Sequence, residues 1–392
     1  MECTFILSSL CEREEMIEGL YDYKKVFSLG LLLVQVFFGN AKAQQTNPMV
    51  SASWVIIGAG PGGLIVLGNL LDRGVDPKTI VWIDDAFNAG RIGKYYEYVA
   101  GNTRAASFLA YFQSCKSFEF HQNAHLFSLS KLNPQEMCLL SEVIKPMQWL
   151  TQKMQTRVRS IKGLVRSIKK EGATWSVVLD DLCIEAKNVV LAMGSHPKTL
   201  DHKGVVRINL DDALHPLKLA QQVRPDDVVA VYGVSHSGML ALKHLCQLKV
   251  KKIISYSRHS VRYAIDRGGY YAYDNTGLKG TTAQWAREVF EKNPPANLEK
   301  RRTNEKDTDG ELAGCTKVID AVGYERNDIP GLSKELLQQF NNKTGVIADG
   351  LFGVGIAFPN RVLDPSGGYE EAVGLSKFML HAQRAVPLWL KK

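Results

Sequence analysis

The chain has 392 residues, enough for two domains that each bury an apolar core. Apolar residues make up 45% of it and charged residues 22%, which is typical of a globular protein and excludes a disordered or fibrous one. The formal net charge of +8 is spread along the sequence, and no helix-turn-helix, zinc-finger or RNP pattern accompanies it, so nucleic acid is not an expected partner.

Residues 1–48 differ from the sequence that follows and are predicted to be an N-terminal extension or a signal peptide. Lys24-Lys25 precedes an apolar run, Val26–Phe38, and Ala41-Lys42-Ala43 follows it, which is the order of a secretory signal. The run is shorter than the ~20 residues of a membrane span, so no stable span is expected. Export or a periplasmic location follows if residues 1–43 are a signal peptide. A cytoplasmic location follows if translation starts at Met49 or the segment has no targeting role.

A strand, a glycine turn and a helix follow one another at residues 54–71. In the turn Gly-x-Gly-x-x-Gly, the first glycine permits the bend, the second lets backbone approach a pyrophosphate, and the third lets helix pack on strand. The N-terminus of the helix directs free N–H groups at the phosphates. The next strand, Thr79–Ile83, ends in an acid at the spacing expected of a ribose ligand. The predicted dinucleotide contacts are Gly58, Gly60, Pro61, Gly63 and Asp84.

Polar and aromatic side chains follow this second strand. Arg91–Tyr96 and Asn102–Arg104 are predicted to contact a bound cofactor or substrate, because functional groups concentrate on loops beside a binding site. The alternative is that the tyrosines of this segment pack against the helix predicted over Ala105–Cys115. Residues 123–150 have apolar residues at helical spacing and are predicted to form a small helical cap.

Two further strands end in glycine. Asn188–Met193 leads into Gly194, and Lys317–Val322 leads into Gly323. A strand closed by glycine marks a place where backbone runs close beside a ligand. Each signal is weak alone, but the two strands frame a second glycine turn.

This second strand, turn and helix lies at residues 227–247. A serine replaces the middle glycine of the turn and still permits close approach of a phosphate. The next strand, Lys252–Tyr256, is followed by Ser257-Arg258-His259 and not by an acid. A cation at this place favours a 2′-phosphate, hence NADP over NAD, unless Arg258 is only a solvated surface residue. The predicted contacts are Gly233, Ser235, Gly238 and Arg258.

Two segments after this turn are predicted to be loops. Arg267–Asn275 is rich in glycine and tyrosine, and it is either a lid over a bound ligand or a surface Ω-loop. Residues 293–311 are charged, contain proline and are poor in apolar residues, which predicts a long exposed loop.

The C-terminal segment predicts a buried strand, a Gly-Gly turn and a helix. The strand is expected over Leu351–Ala357, and apolar residues at helical spacing predict the helix over Glu370–Gln383. Gly367 and Gly368 would open this helix, direct its N–H groups at a bound cofactor and stabilise negative charge there. The alternative is an ordinary capped helix.

The order of these motifs resembles that of the two-dinucleotide-binding-domain flavoproteins. Among them it is most similar to the class B flavin monooxygenases, which include the flavin-containing, Baeyer–Villiger and lysine or ornithine N-hydroxylating enzymes. The resemblance covers the layout of residues 50–390 and is specific at four motifs. It implies an α/β fold with two Rossmann-like domains, FAD on the first turn and NADPH on the second. Ala192–Gly194 and Ala321–Tyr324 resemble the family's linker motifs.

The resemblance also implies domain boundaries. The FAD-binding domain is expected to consist of residues 49–200 and 326–392, and an NAD(P)-binding domain of residues 201–325 is inserted between its two parts. Two features of the family are missing. The fingerprint F-x-G-x-x-x-H is not present, and the Gly-Asp that meets the flavin near the C-terminus is replaced by Gly350–Pro359, which holds no acid. Asp364 or backbone amides are the expected substitutes.

Seven cysteines are scattered along the chain, and none lies in a C-x-x-C or similar pair. Metal sites and redox-active disulfides both use closely spaced thiols, so neither is expected. The first hypothesis is an FAD-dependent NADPH oxidoreductase, a monooxygenase that forms a peroxyflavin and oxygenates a small organic substrate without a nucleophile of its own. The alternatives are an NAD(P)H:acceptor reductase serving a quinone or ferredoxin, and a non-catalytic FAD-binding protein.

Overall fold

The computed structural model describes residues 49–268, 270–303, 310 and 312–391. The predicted extension or signal peptide of residues 1–48 lies outside the described residues. Within the described part of the chain, no helix is both long enough and apolar enough to cross a membrane.

The strands are numbered in chain order. They are β1 (Met49–Ile57), β2 (Ile80–Asp84), β3 (Ala100–Arg104), β4 (Met137–Leu139), β5 (Arg159–Lys162), β6 (Ser167–Glu171), β7 (Thr174–Val178), β8 (Cys183–Leu191), β9 (Ser195–Pro197), β10 (Val206–Arg207), β11 (Val228–Tyr232), β12 (Lys252–Ser257), β13 (Ile265–Asp266), β14 (Tyr271–Ala272), β15 (Leu298–Arg302), β16 (Lys317–Asp320), β17 (Tyr324–Arg326), β18 (Val346–Ala348), β19 (Leu351–Gly353), β20 (Asn360–Leu363) and β21 (Tyr369–Ala372).

The helices are numbered in the same way. They are α1 (Pro61–Asp72), α2 (Gly90–Tyr95), α3 (Ala105–Gln113), α4 (Phe120–Asn123), α5 (Ser141–Gln155), α6 (Leu210–Ala213), α7 (Pro216–Gln222), α8 (His236–Gln247), α9 (Gly280–Trp285), α10 (Lys334–Gln338) and α11 (Leu375–Trp389). A π-helical segment, Ala286–Lys292, continues α9.

The first sheet has the strand order β18-β19-β8-β1-β2-β5, and β6 and β7 extend it from the edge of β8. β1 is parallel to both of its neighbours, β2 and β8. Its side chains alternate between two apolar layers: Trp54 and Ile56 pack with α1 and α11, and Val55 and Ile57 pack with β6, β7 and α10. Burial on both faces explains why this strand is a continuous apolar run in the sequence.

The second sheet has the order β10-β16-β11-β12-β15, and all of its strands are parallel. It too is covered on both faces, with Val229 and Val231 on one side and Ala230 and Tyr232 on the other. The α/β fold with two Rossmann-like units, which the motifs predicted, is confirmed.

The chain passes between the two sheets through a two-stranded ribbon, in which β9 pairs antiparallel with β17. The assignment of residues 201–325 to a separate domain stays a proposal. The reason is that one segment of residues 49–200 packs into the apolar core of the second sheet. Val99, which precedes β3, is 6% exposed and belongs to the apolar cluster of the second sheet. His236 of α8 also donates from Nε2 to the carbonyl oxygen of Ala100, at 2.9 Å.

The C-terminal helix predicted over Glu370–Gln383 is present over Leu375–Trp389, so the predicted start at Glu370 is wrong. Gly367 and Gly368 form the turn of a hairpin between β20 and β21, and α11 starts only at Leu375. The alternation of exposed and buried residues along β21 has the period of a strand, not of a helix. The buried strand expected over Leu351–Ala357 is also shorter, since β19 ends at Gly353 and a 3₁₀ turn follows.

The two predicted loops contain ordered structure. Within residues 293–311, β15 forms the edge of the second sheet, while residues 304–309 and 311 lie outside the described residues. Within Arg267–Asn275, β14 pairs with β13, so the segment is a hairpin and not a free lid or Ω-loop. Tyr273 N–H donates to the Asp364 carboxylate at 2.7 Å, and Lys377 of α11 pairs with Asp274 at 2.6 Å, so this hairpin is bonded to the C-terminal part.

Candidate active site

A cleft with a volume of about 550 Å³ lies at the carboxyl ends of β1, β2 and β8. We call it the first-sheet cleft. This is the edge at which open parallel sheets bind ligands. The residues that line it include Gly58, Gly60, Pro61, Asp84 and Gly194, all predicted from the glycine motifs and the strand ends.

The glycine turn of this cleft is tightly packed by backbone. Gly58 has φ +108°, and a Cβ there would lie 2.3 Å from the carbonyl oxygen of Ala192. Gly63 lies behind the turn and not in the cleft lining, and a Cβ there would lie 1.9 Å from the carbonyl oxygen of Gly58. Both positions therefore require glycine, the first for the turn and the second for packing α1 on β1.

Asp84 fastens the end of β2 to the glycine turn. One carboxylate oxygen accepts from the N–H of Ala59 at 2.6 Å, and the other accepts from the N–H groups of Ala86 and Phe87 at 2.9 and 2.7 Å. The side chain lines the cleft where a dinucleotide ribose is expected, and it also organises the turn itself. A carboxylate oxygen has two lone pairs, so these bonds leave Asp84 able to accept from a ribose hydroxyl.

The helix N-terminus that was predicted at Gly367 and Gly368 lies instead at Gly374. Those two glycines are not part of the cleft lining, because they lie at the turn of the β20–β21 hairpin. Gly374, with φ +136°, precedes α11, and Gly374, Leu375 and Phe378 line the cleft. We therefore propose that Gly374, and not the Gly-Gly turn, contacts the flavin. Asp364 is also absent from the cleft lining, where Gly355 and Ile356 occupy the position at which the family's acid was expected.

A second cleft, of about 430 Å³, lies at the carboxyl ends of β11, β12 and β16. We call it the second-sheet cleft. Gly233 has φ +103°, and a Cβ there would lie 2.3 Å from the carbonyl oxygen of Ala321. A Cβ at Gly238 would lie 2.1 Å from the carbonyl oxygen of Gly233, so this glycine serves packing as Gly63 does. The predicted residues that line the second-sheet cleft are Gly233, Ser235, Arg258 and Gly323.

The outer end of the second-sheet cleft is polar and basic. Arg258, His259, Ser260 and Arg262 line it just after β12. Arg302, from the neighbouring strand β15, donates to the Ser260 hydroxyl at 2.8 Å. This end of the cleft therefore offers guanidinium, imidazole and hydroxyl groups, which are suited to binding a phosphate.

The two clefts meet at three residues that line both: His236, Ser237 and Tyr324. His236 begins α8, directly after Ser235 of the second turn. Burial lowers the pKa of His236, so its imidazole is neutral, and the hydrogen bond to Ala100 places its proton on Nε2. Its Nδ1 is buried and has no hydrogen-bond partner among the described residues.

A chain of polar contacts crosses this junction. Arg91 forms an ion pair with Asp211 of α6 and donates from Nε to the Tyr96 hydroxyl at 3.2 Å. Tyr96 in turn contacts the Tyr324 hydroxyl at 3.0 Å. Burial raises the pKa of both phenols, so they stay protonated. Arg91, Tyr95 and Tyr96 line the first-sheet cleft, and their contact with a cofactor or substrate stays a prediction.

The described cysteines are free thiols at positions 115, 138, 183, 246 and 315. Burial raises the pKa of Cys115 to about 12 and that of Cys138 and Cys246 to about 11. A thiol reacts as its thiolate, so these side chains are unreactive near neutral pH. The first-sheet and second-sheet clefts contain no cysteine among their described lining residues.

Comparison with known proteins agrees with this geometry. The model of the pyridine nucleotide-disulphide oxidoreductase family matches residues 52–350. The chain belongs to this family. As a member of the pyridine nucleotide-disulphide oxidoreductases, it is an FAD-dependent NAD(P)H oxidoreductase, which confirms the cofactor class and the enzyme class predicted from the glycine turns.

Relatives of this family member include monooxygenases. Monooxygenase AgnR1 from Paecilomyces divaricatus is 34% identical over 382 residues, which are 86% of this chain and 97% of the relative. An ornithine N-hydroxylase from Kutzneria sp. 744, solved with FAD, NADP⁺ and L-ornithine, superposes with a TM-score of 0.63 at 13% identity and covers 87% of this chain and 99% of its own. A flavin-containing monooxygenase from Stenotrophomonas maltophilia gives 0.57 at 16% identity, with 88% and 99% covered. The two solved structures establish the fold.

Several residues of the site were not predicted from the sequence. Asp211 lies 120 positions from Arg91, and no local pattern connects the two. His236 and Ser237 lie inside the second glycine turn, so the motif predicts that they lie near the second-sheet cleft. The motif does not predict that they also line the first-sheet cleft. Gly374 could have been found, because it precedes apolar residues with a period of 3.6 residues.

Proposed function

We propose that the chain is an NADPH-dependent FAD monooxygenase that oxygenates a small organic substrate. The observation that carries this proposal is the junction of the two clefts at His236, Ser237 and Tyr324. A nicotinamide that extends from the second-sheet cleft and a flavin ring in the first-sheet cleft would meet there. Such contact is what hydride transfer requires.

The first-sheet cleft fits FAD. Gly58, Gly60 and Pro61 of its turn line the cleft, so the backbone of the turn is accessible to a pyrophosphate. The N-terminus of α1 faces the same point, and Asp84 lies where the ribose would bind. The start of α11 at Gly374 supplies a second positive helix end, which would stabilise negative charge on a reduced flavin.

The second-sheet cleft fits NADPH better than NADH. Its outer end has Arg258, Ser260 and Arg262 where NAD-binding sites have an acid. A carboxylate there would repel a 2′-phosphate, whereas a guanidinium binds it with charge-assisted hydrogen bonds.

The side chains at the junction support oxygen chemistry on the flavin and not thiol chemistry. The described residues of the two clefts include no cysteine, so a disulfide reductase mechanism has no thiol to act with. When bound, FAD supplies the two-electron chemistry: NADPH is oxidised, one oxygen atom of O₂ enters the substrate and the other leaves as water.

The protein's own contribution is position and exclusion of water. Tyr96 and Tyr324 remain neutral hydrogen-bonding groups, His236 is held uncharged, and Asp211 balances the charge of Arg91. The junction is therefore polar without carrying an unbalanced charge, which suits a site that must exclude bulk water during turnover.

Anaerobic titration of the full-length holoprotein tests the proposal. We expect NADPH to bleach the flavin absorbance faster than NADH does. On readmission of O₂ with a panel of sulfides and ketones, oxygenated product should form in proportion to the NADPH consumed.

Three outcomes separate the alternatives. Reduction followed by hydrogen peroxide alone, with every substrate, would remove the monooxygenase reaction. Fast anaerobic turnover with a quinone or ferredoxin would favour the acceptor reductase. A flavin that neither nucleotide reduces would leave a non-catalytic FAD-binding protein.

A further inference from the structure

We propose that the first-sheet cleft accepts a neutral, largely apolar substrate and excludes zwitterionic amino acids and carboxylates. This inference rests on the proposed monooxygenase function. It concerns the part of the cleft wall that is formed by residues outside both glycine turns and outside the junction of the two clefts.

That wall is apolar. It is built from the segment before β3, from α3, from the residues before α5 and α7, and from the start of α11. The apolar side chains are Val99, Phe108, Leu140, Leu214, Val373 and Phe378. The exposed fraction of four of them is 8% or less, so they form a packed surface facing the cavity and not a mobile rim. Asn102 and Thr103 are the polar side chains on the same wall.

The charged side chains around the cleft are already engaged or lie elsewhere. Asp84 accepts three backbone N–H groups at the dinucleotide end, and Arg91 is paired with Asp211. Asp85 and Lys94 also line the cleft, but both are exposed, and they belong to the segment after β2, which contributes none of the six apolar side chains. Among the described lining residues, the elements that carry the apolar wall contribute no charged side chain.

Two cations next to this wall along the chain, Arg104 and Lys377, are directed away from it, and Lys377 pairs with Asp274 at 2.6 Å. Arg104 ends β3, but its guanidinium donates to Asp266 at 3.1 Å and to the Tyr271 hydroxyl at 2.9 Å. It is not among the residues that line the cleft. Arg104 therefore cannot neutralise a substrate carboxylate without breaking its contacts with the β13–β14 hairpin.

The energetic consequence follows from solvation. Moving a carboxylate or ammonium from water to an apolar wall costs several kcal/mol per ion unless a counter-charge receives it. A neutral ring or chain gains about 25 cal/mol for each Å² of apolar surface that it buries. Asn102 and Thr103 can orient a carbonyl or hydroxyl group by hydrogen bonding without imposing that cost.

A matched pair of sulfides tests the inference directly. Thioanisole and 4-(methylthio)benzoate share the ring and sulfur and differ by one carboxylate; L-ornithine serves as the zwitterion. Binding to the NADP⁺-bound holoprotein is measured as the perturbation of the flavin absorbance spectrum. We expect thioanisole to bind at least about tenfold more tightly than 4-(methylthio)benzoate, and L-ornithine to cause no perturbation.

A pair of variants shows whether the wall is responsible. Val373→Arg places a cation at the partly exposed edge of the wall, and we expect it to tighten binding of 4-(methylthio)benzoate by about tenfold. Leu380→Arg is the matched control, because Leu380 is exposed on the same helix, α11, but does not line the cleft. It should leave both affinities unchanged.

The inference is overturned if thioanisole does not bind, if the carboxylate or L-ornithine binds as tightly, or if the two arginine variants behave alike. Its failure is distinct from failure of the monooxygenase proposal. Reduction of the flavin by NADPH and oxygenation of a charged substrate would refute the inference and leave the proposed reaction intact.

Discussion

The two glycine turns have almost the same backbone and different chemistry at their edges. In each, a Cβ on the first glycine would lie 2.3 Å from an alanine carbonyl oxygen, that of Ala192 in one and Ala321 in the other. The first turn is bonded to a carboxylate from the next strand, Asp84, whereas the second faces Arg258. Packing of helix on strand thus fixes the turn, and one residue at the end of the next strand sets the charge that a nucleotide meets.

The turns also differ in what covers them. The middle glycine of the first turn, Gly60, lies against Gly90 at the start of α2. Its counterpart in the second turn, Ser235, is exposed, and its hydroxyl makes no capping hydrogen bond to α8. A serine is tolerated there because the position is exposed among the described residues.

The largest expected effect comes from filling the first position of either turn. Gly58→Ala forces a side chain into a left-handed conformation against Ala192, so we expect loss of bound FAD and a decrease of about 3 kcal/mol or more in unfolding free energy. Gly233→Ala should instead retain FAD and lose reduction by NADPH. Flavin content and chemical denaturation measure both.

Gly172→Ala is the control for these two variants. Gly172 has φ +61°, but no atom lies within 4 Å of its added Cβ. It should therefore show only the cost of about 1 kcal/mol for an alanine in that conformation. If Gly58→Ala behaves like Gly172→Ala, crowding at the turn is not what demands glycine.

Breaking the ion pair between the two regions should have the next largest effect. Arg91→Met leaves Asp211, whose side chain is 4% exposed, buried without its cation, and we expect destabilisation by about 3 kcal/mol. Arg166→Met is the matched control, because its partner Asp180 is exposed and the pair is solvated. Equal denaturation midpoints for the two variants would contradict a structural role for the Arg91–Asp211 pair.

Removing the cation at the second turn should change the choice of nucleotide. We expect Arg258→Gln to lower the preference for NADPH over NADH by about tenfold, the loss of one charge-assisted interaction with a 2′-phosphate. The ratio of flavin reduction rates with the two nucleotides measures this. Lys251→Gln removes an exposed charge just before β12, outside the cleft, and should leave the ratio unchanged.

The smallest effect is expected at the middle position of the second turn. Ser235→Gly should change the rate of reduction by NADPH by less than about threefold, because the serine is exposed and makes no capping bond. The reverse exchange, Gly60→Ser, should weaken FAD binding without unfolding the protein. A Cβ there has its nearest neighbour, the Cα of Gly90, at 3.8 Å, so the protein accommodates it, while Gly60 lines the first-sheet cleft. Similar losses of nucleotide binding in both variants would remove the distinction between the covered and open turns.

Local patterns predicted the parts of the fold that repeat. Each strand, turn and helix around Gly58 and Gly233 was predictable because glycine spacing and an apolar run act within about 20 residues. The start of α11 was predicted too early. The residues of β21 alternate between exposed and buried with the period of a strand, and the helix begins only after Gly374. The pairing of Arg91 with Asp211 and the burial of Val99 in the second core depend on how distant segments meet, for which a single sequence has no local signal.

The segments that complete the first sheet come last in the chain. β19 pairs with β8 and α11 packs on α1, whereas every strand of the second sheet has been synthesised by Asp320. On the ribosome, the second sheet therefore has all of its strands while the first sheet is still open and has an exposed edge. We expect flavin incorporation to follow release of the C-terminus, because Gly374, Leu375 and Phe378 of the last segment line the first-sheet cleft. A chain truncated before α11 is expected to present its unfinished sheet to chaperones and proteases.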